Sequence, residues 1–142
     1  MPSKALVLDA NILVRAVLGK PVRDLMEAYS GRAAFFVPEA AYAEAEEHLS
    51  ALVAKRGGDP QKALVFLHAL SGLVKLIGRE TYGEFEVVAR ERLGQRDPDD
   101  WPVVAVALLL DLPIWTEDQD LFGSGLPTWT TDRVEVYLKS TH

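Results

Sequence analysis

The sequence contains no cysteine. That excludes disulfide scaffolds, thiolate-held zinc, iron–sulfur clusters and thiol nucleophiles. Histidine is scarce: His48, His68 and His142 follow no metal-ligand spacing and read as surface or terminal residues. No apolar run approaches the roughly 20 residues that span a bilayer; the longest, Val103 to Leu110, falls well short. The opening Met-Pro-Ser-Lys does not resemble a secretory leader, so the expectation is a cytoplasmic protein with no membrane partner. Positive charge is also in deficit, with 15 Lys and Arg against 21 Asp and Glu, a formal net charge of −6. A chain that binds phosphate backbones unaided is usually basic. Either nucleic acid is not the partner, or something outside the sequence neutralises part of the acid. A phosphate-cradling Gly-x-x-x-x-Gly-Lys-Ser/Thr loop is missing, and Gly123-Ser124-Gly125 reads as an ordinary loop.

What is present suits one domain over residues 1–142, long enough to bury its own core. Residues 4–8 form an unalternating apolar run ending at Asp9, as a strand covered on both faces would. Further strands are expected at 34–37, 73–77 and 112–115, with a short fifth at 128–130. Helices are expected at 11–18, 22–29, 39–55, 60–70, 82–93, 102–110 and 132–139. Gly19-Lys20-Pro21 and Gly57-Gly58-Asp59-Pro60 supply the breaks, with Asp59 a suitable N-cap and Pro60 a suitable first helical residue. The 102–110 segment is apolar all round. A strand is an alternative for it, but its length, the preceding acids and Pro102 favour a buried helix. Short apolar strands alternating with helices describe a parallel sheet of four to five strands in an α/β fold. Ligands bind such sheets at the carboxyl ends of the strands. Asp9 and Asp118 stand at that address after the first and fourth strands.

Carboxylates fall at the ends of elements in four segments: Leu8-Asp9-Ala10-Asn11, the Glu44/Glu46/Glu47 stretch, Asp97-Pro98-Asp99-Asp100, and Thr116-Glu117-Asp118-Gln119-Asp120. Each alone is a common turn or cap residue. If they converge they repel, and their pKa values rise unless a cation joins them. An all-oxygen donor set without cysteine or clustered histidine suits Mg2+ or Mn2+. Such ions would also offset the acidic balance and let phosphate approach.

These segments together resemble the PIN-domain nucleases, the family that includes VapC-type toxins of bacterial toxin–antitoxin pairs. The strand followed by Asp-x-Asn matches Val7-Leu8-Asp9-Ala10-Asn11-Ile12, and the helical acid matches Glu44 after Val37-Pro38. The Asp that opens an apolar helix matches Asp100, and Thr-x-Asp after a strand matches Thr116-Glu117-Asp118, with Asp120 next. The likeness runs in order from Lys4 to Leu138. It implies a three-layer α/β/α fold, a Mg2+- or Mn2+-dependent endoribonuclease acting on RNA, an antitoxin partner and a homodimer. It further implies that Asp9, Glu44, Asp100 and Asp118 hold the metal and activate water. Asp97 and Asp120 would be additional acids, and Asn11 and Thr116 would orient the carboxylates.

Spacing alone does not separate Glu44 from Glu46, which flank the apolar stripe of their helix on opposite sides, nor Asp99 from Asp100 as the cap of the next helix. The resemblance selects Glu44, and Asp100 is taken as the ligand. Asp97 could instead initiate the Asp-Pro turn. Trp101, Trp115 and Trp129 are expected as core anchors. Arg15, Lys20, Arg23, Arg92 and Arg96 either rim the acidic cleft or lie on solvated helix faces. Two other readings stand beside the nuclease. One is a phosphatase of the haloacid-dehalogenase kind, using Asp118-Gln119-Asp120. The other is a PIN-like module that binds without catalysis.

Overall fold

The computed structural model describes residues 4–140. Its first strand, β1 (Lys4–Leu8), leads through the single residue Asp9 into α1 (Ala10–Leu18), and α2 (Lys20–Tyr29) follows directly. Strand β2 (Ala33–Pro38) passes without a loop into α3 (Glu39–Lys55), which is followed by α4 (Pro60–Leu70), β3 (Lys75–Ile77) and α5 (Arg79–Tyr82). Next come α6 (Glu86–Leu93), α7 (Trp101–Leu110), β4 (Ile114–Trp115), β5 (Thr128–Trp129) and α8 (Val134–Lys139).

The five strands form one sheet in the order β3-β2-β1-β4-β5. Every pairing is parallel, with Leu6 opposite Phe35 and Leu8 opposite Trp115. The expected α/β fold with a parallel sheet is therefore the observed one. The chain steps outward from β1 to β2 and β3, then returns to lay β4 against the other side of β1. Right-handed crossovers put α1 to α4 on one face of the sheet and α5 to α7 on the other. The reversal of direction lies between β1 and β4, where the connections diverge and leave a crevice beyond the strand ends.

The core explains the unalternating strands. Leu6, Val7 and Leu8 are fully buried, because helices cover both faces of β1. Residues 101–107 of α7 are buried without a polar face, and this helix packs on β1, β2 and β4. Each buried valine there contributes roughly 1.5 to 3 kcal/mol of transfer free energy. Trp115 is fully buried against Phe35 at 6.1 Å between ring centroids, and its indole N–H donates to Thr131 Oγ1. Trp101 is buried with its ring edge-on to Tyr82, and Arg79 and Arg90 lie over it. Trp129 is half-buried and stacks on Tyr137.

Several boundaries differ from expectation. The second helix begins at Lys20, not Val22: Gly19 is extended, and Pro21 sits in the first turn, where a missing N–H costs nothing. Strand β3 is shorter than expected because residues 71–73 coil into a 3-10 turn. The expected helix at 82–93 is divided, with a 3-10 turn at Gly83–Phe85 separating α5 from α6. The last helix starts at Val134 rather than Asp132.

Candidate metal centre

Asp9 follows the central strand and is nearly fully buried, at 3% exposure. Its side chain caps α1, with Oδ1 accepting from Ile12 N–H at 3.0 Å. Thr116, the residue after β4, donates its hydroxyl to the other carboxylate oxygen of Asp9. The same Oγ1 accepts from the backbone N–H of Asp118 at 2.9 Å. Because β1 and β4 are neighbours, one hydroxyl ties together the acids that leave both strands.

Asp118 Oδ1 accepts from the N–H of Asp120 at 2.9 Å and so caps the 3-10 turn at Gln119–Gly123. Asp120 Oδ2 in turn accepts from the N–H of Asp97 at 3.4 Å. Asp97 caps the turn before α7, accepting from Asp99 N–H at 3.2 Å. Neither Asp99 nor Asp100 caps α7 through its side chain: the expected division of labour between these two moves to Asp97. With Asp97 holding the turn, Asp100 is half-buried while Asp99 stays exposed.

The tightest grouping is Asp97, Asp100 and Asp118, each offering one carboxylate oxygen within 4.8 Å of the others. Asp9 stands beside this trio with both oxygens engaged by protein donors. Glu44 approaches from α3. It lines a cavity of about 30 Å³ together with Ala10, Asp99, Asp100 and Val103. That space is of the order of one or two small bound species. Glu44 is half-buried, whereas Glu46 and Glu47 are exposed, so the fold turns the Glu44 flank of the helix toward the other acids. Asn11 is exposed beside the site, and among the described residues its side chain makes no hydrogen bond to a carboxylate.

The electrostatics follow from this crowding. Burial pushes the Asp9 carboxyl up to about 6, and the charges of Asp118 and Glu44 add to the shift; the hydrogen bonds from Thr116 and Ile12 pull against it. Asp100 is raised far above the ordinary carboxylate range. Burial is the largest cause, followed by a hydrogen bond with the Asp118 carboxyl and by the charges of Asp97 and Asp9. Glu44 is raised by burial and by Asp97 and Asp99, against the opposing effect of His48. The ion pairs among the described residues, such as Arg79–Glu86 and Lys139–Glu135, lie elsewhere; none involves these acids. Repelling carboxylates from separate segments, all oxygen donors and in no ion pair among the described residues, fit a hard divalent ion.

The groove beside the acids holds about 930 Å³ and is lined by Asn11, Arg15, Leu52, Arg56, Asp118 and Asp120, among others. Of the arginines flagged in the sequence, Arg15 lines it. Arg23 instead donates to the carbonyl of Ala16 and lies over Phe66, and Arg92 donates to the carbonyl of Ser124. Two residues that sequence reasoning passed over also line this groove. Glu117 accepts from Thr131 N–H at 2.6 Å, joining the ends of β4 and β5. Arg56 follows α3, in a position that no local motif distinguishes.

Among curated proteins no relative matches. Solved structures share the fold. PAE2754 of Pyrobaculum aerophilum aligns with a TM-score of 0.72 at 18% identity, over 96% of this chain and 96% of that one. VapBC2 of Rickettsia felis, crystallised with a DNA fragment from its promoter, aligns with a TM-score of 0.65 at 15% identity, over 89% of this chain and 98% of that one. FitAcB of Neisseria gonorrhoeae aligns with a TM-score of 0.60 at 15% identity, over 89% and 97%. The family description "PIN domain" matches residues 7–139, taking in all four acidic segments. This chain belongs to the PIN-domain family.

Proposed function

We propose that this chain is a Mg2+- or Mn2+-dependent endoribonuclease that hydrolyses RNA phosphodiester bonds, and that it is the toxin of a toxin–antitoxin pair. The observation that carries the reading is the gathering of Asp97, Asp100 and Asp118 within 4.8 Å, with Asp9 and Glu44 alongside and, among the described residues, no ion pair to balance them. Membership of the PIN-domain family supports it. The likeness to VapBC2 of Rickettsia felis, bound to promoter DNA, and to FitAB, bound to a DNA fragment, supports the partner assigned to this chain, an antitoxin protein. A homodimer and a cytoplasmic location complete the reading; no helix among the described residues is long and apolar enough to cross a membrane.

Asp9, Glu44, Asp100 and Asp118 would hold the cation, with Asp97 and Asp120 as further donors. When bound, such an ion polarises the phosphoryl oxygen and acidifies water near neutral pH. The chain's own part is orientation and proton bookkeeping. Thr116 and the Ile12 N–H fix both oxygens of Asp9, and the Asp120 N–H fixes one oxygen of Asp118. The Asp100 carboxyl, raised by burial and by its acidic neighbours, holds a proton near neutral pH that must leave when it acts as a donor. The phosphatase reading has less support, because it leaves Asp9, which Thr116 ties to the Asp118 segment, without a role.

The test is cleavage of a fluorescent single-stranded RNA by purified protein with Mn2+, with the Asp118→Asn variant and a chelator as controls. Cleavage that both controls abolish is the expected result. Mn2+ binding without cleavage would leave the non-catalytic module as the better reading.

A further inference from the structure

Helices α1 and α3 pack against each other; α1 is capped by Asp9 and carries Arg15 in its last turn, and α3 carries Glu44 and has Arg56 as its C-cap. Arg15 lies six residues beyond Asp9, about 9 Å along the axis of α1, and Arg56 lies twelve beyond Glu44, about 18 Å along α3. Both line the same groove as Asp118 and Asp120. Among the described residues, neither guanidinium has a hydrogen bond, ion pair or ring contact. A cation near a helix C-terminus is favoured by the carbonyls there. That accounts for positive charge at each helix end, but not for two such ends meeting over one groove. Val14, Leu18, Pro21 and Leu52 add apolar surface to the same groove. The groove thus combines carboxylates, apolar side chains and two unpaired guanidinium groups.

We propose that Arg15 and Arg56 hold backbone phosphates of a single-stranded nucleic acid a few nucleotides from the point of cleavage, with its bases against the apolar side chains. The proposal rests on the nuclease reading and names how the substrate strand is positioned. Arginine binds phosphate as a planar fork, and a basic groove with an apolar platform is how single strands are held without sequence preference. A groove of about 930 Å³ has room for a few unstacked nucleotides. The placement also eases the charge puzzle locally: in a chain of net charge −6, two guanidinium groups line the same groove as Asp118 and Asp120.

The experiment measures binding of a labelled, uncleavable 2′-O-methyl oligoribonucleotide to the full chain with Mn2+, at several salt concentrations. Arg15→Ala and Arg56→Ala should each weaken binding by about tenfold and lower the salt slope by about 1. Arg→Lys at either position should recover part of the affinity. Lys62→Ala, an exposed charge on α4 away from the groove, should change neither quantity. Calorimetry with Mn2+ alone should be unchanged in all variants. If the double variant R15A/R56A keeps wild-type affinity and slope, the assignment of the arginines is overturned while the nuclease reading stands. If a duplex of the same sequence binds as tightly as the strand, the single-strand preference is overturned. A wild-type protein that binds Mn2+ but no oligonucleotide would overturn the nuclease reading itself, and the groove would then belong to a protein segment.

Discussion

The hydroxyl of Thr116 donates to Asp9, a residue 107 positions earlier in the chain, and accepts from the backbone N–H of Asp118. Thr116 is itself fully buried. Replacing it with valine keeps the shape but removes both bonds, leaving a buried carboxylate oxygen and a buried N–H without partners. Thr116→Val should lower stability by about 2 kcal/mol or more and weaken Mn2+ binding by about 10- to 100-fold. Thr116→Ser should recover most of both. Urea unfolding and calorimetry check the two effects separately.

Asp9 gives a pH signature in the metal-free protein. Its carboxyl titrates near 3.8 when unfolded and near 6 when folded. The native state therefore holds the proton more tightly. The associated stability is complete below about pH 4 and is lost as pH rises through about 6. The loss amounts to roughly 3 kcal/mol at pH 8, by the conversion of about 1.4 kcal/mol per pKa unit. Asp9→Asn cannot ionise and its oxygen still caps Ile12. The variant should be more stable than wild type at pH 8 and equal to it near pH 4. Thermal melts across pH in chelator would read this; a constant difference at every pH would contradict it.

Asp100→Asn should separate stability from function. The carboxyl group is crowded by Asp118, Asp97 and Asp9. At neutral pH the folded, metal-free protein must hold a proton on this group that the unfolded chain releases. Asparagine avoids that cost, so the metal-free variant should melt higher than wild type at neutral pH. The same change deletes a donor, so Mn2+ affinity and RNA cleavage should both be lost. Opposite signs for stability and activity mark a site strained for its task.

Added cation should stabilise the wild-type fold by mass action. At a concentration 100 times its dissociation constant, Mn2+ contributes about 2.7 kcal/mol. For a chain of this size that corresponds to a rise of roughly 5 to 10 °C in Tm. Chelator should reverse the shift, and Asp118→Asn should abolish it. Because the Asp100 carboxyl is raised far above the ordinary range and holds a proton near neutral pH, calorimetry in buffers of different ionisation enthalpy should register proton release on binding.

Much of the fold is visible in local pattern. The unbroken apolar run before Asp9 becomes the buried central strand, and the all-apolar segment after Asp100 becomes the buried α7. Gly57 to Pro60 ends one helix and starts the next, with Asp59 capping Gln61. These features depend on neighbours in sequence, so composition and spacing determine them. Boundaries were harder to read: Pro21 looks like a breaker on paper but serves as a first-turn residue, because only the preceding Gly19 had to leave the helical region.

The sequence by itself determined that acidic residues end β1 and β4, that a helix opens behind Asp100, and that no cysteine or histidine cluster competes for a metal. Only the tertiary structure decided which acids share a space. Strand order lays β4 beside β1, so Thr116 can reach Asp9, and α3 packs to turn Glu44 inward and leave Glu46 in solvent. Capping took Asp97 and left Asp100 beside Asp118; helix packing brought Arg56 to the groove that Arg15 lines. Such contacts come from the burial of apolar surface between segments far apart in the chain, and no short stretch of residues encodes where that burial will bring two charges together.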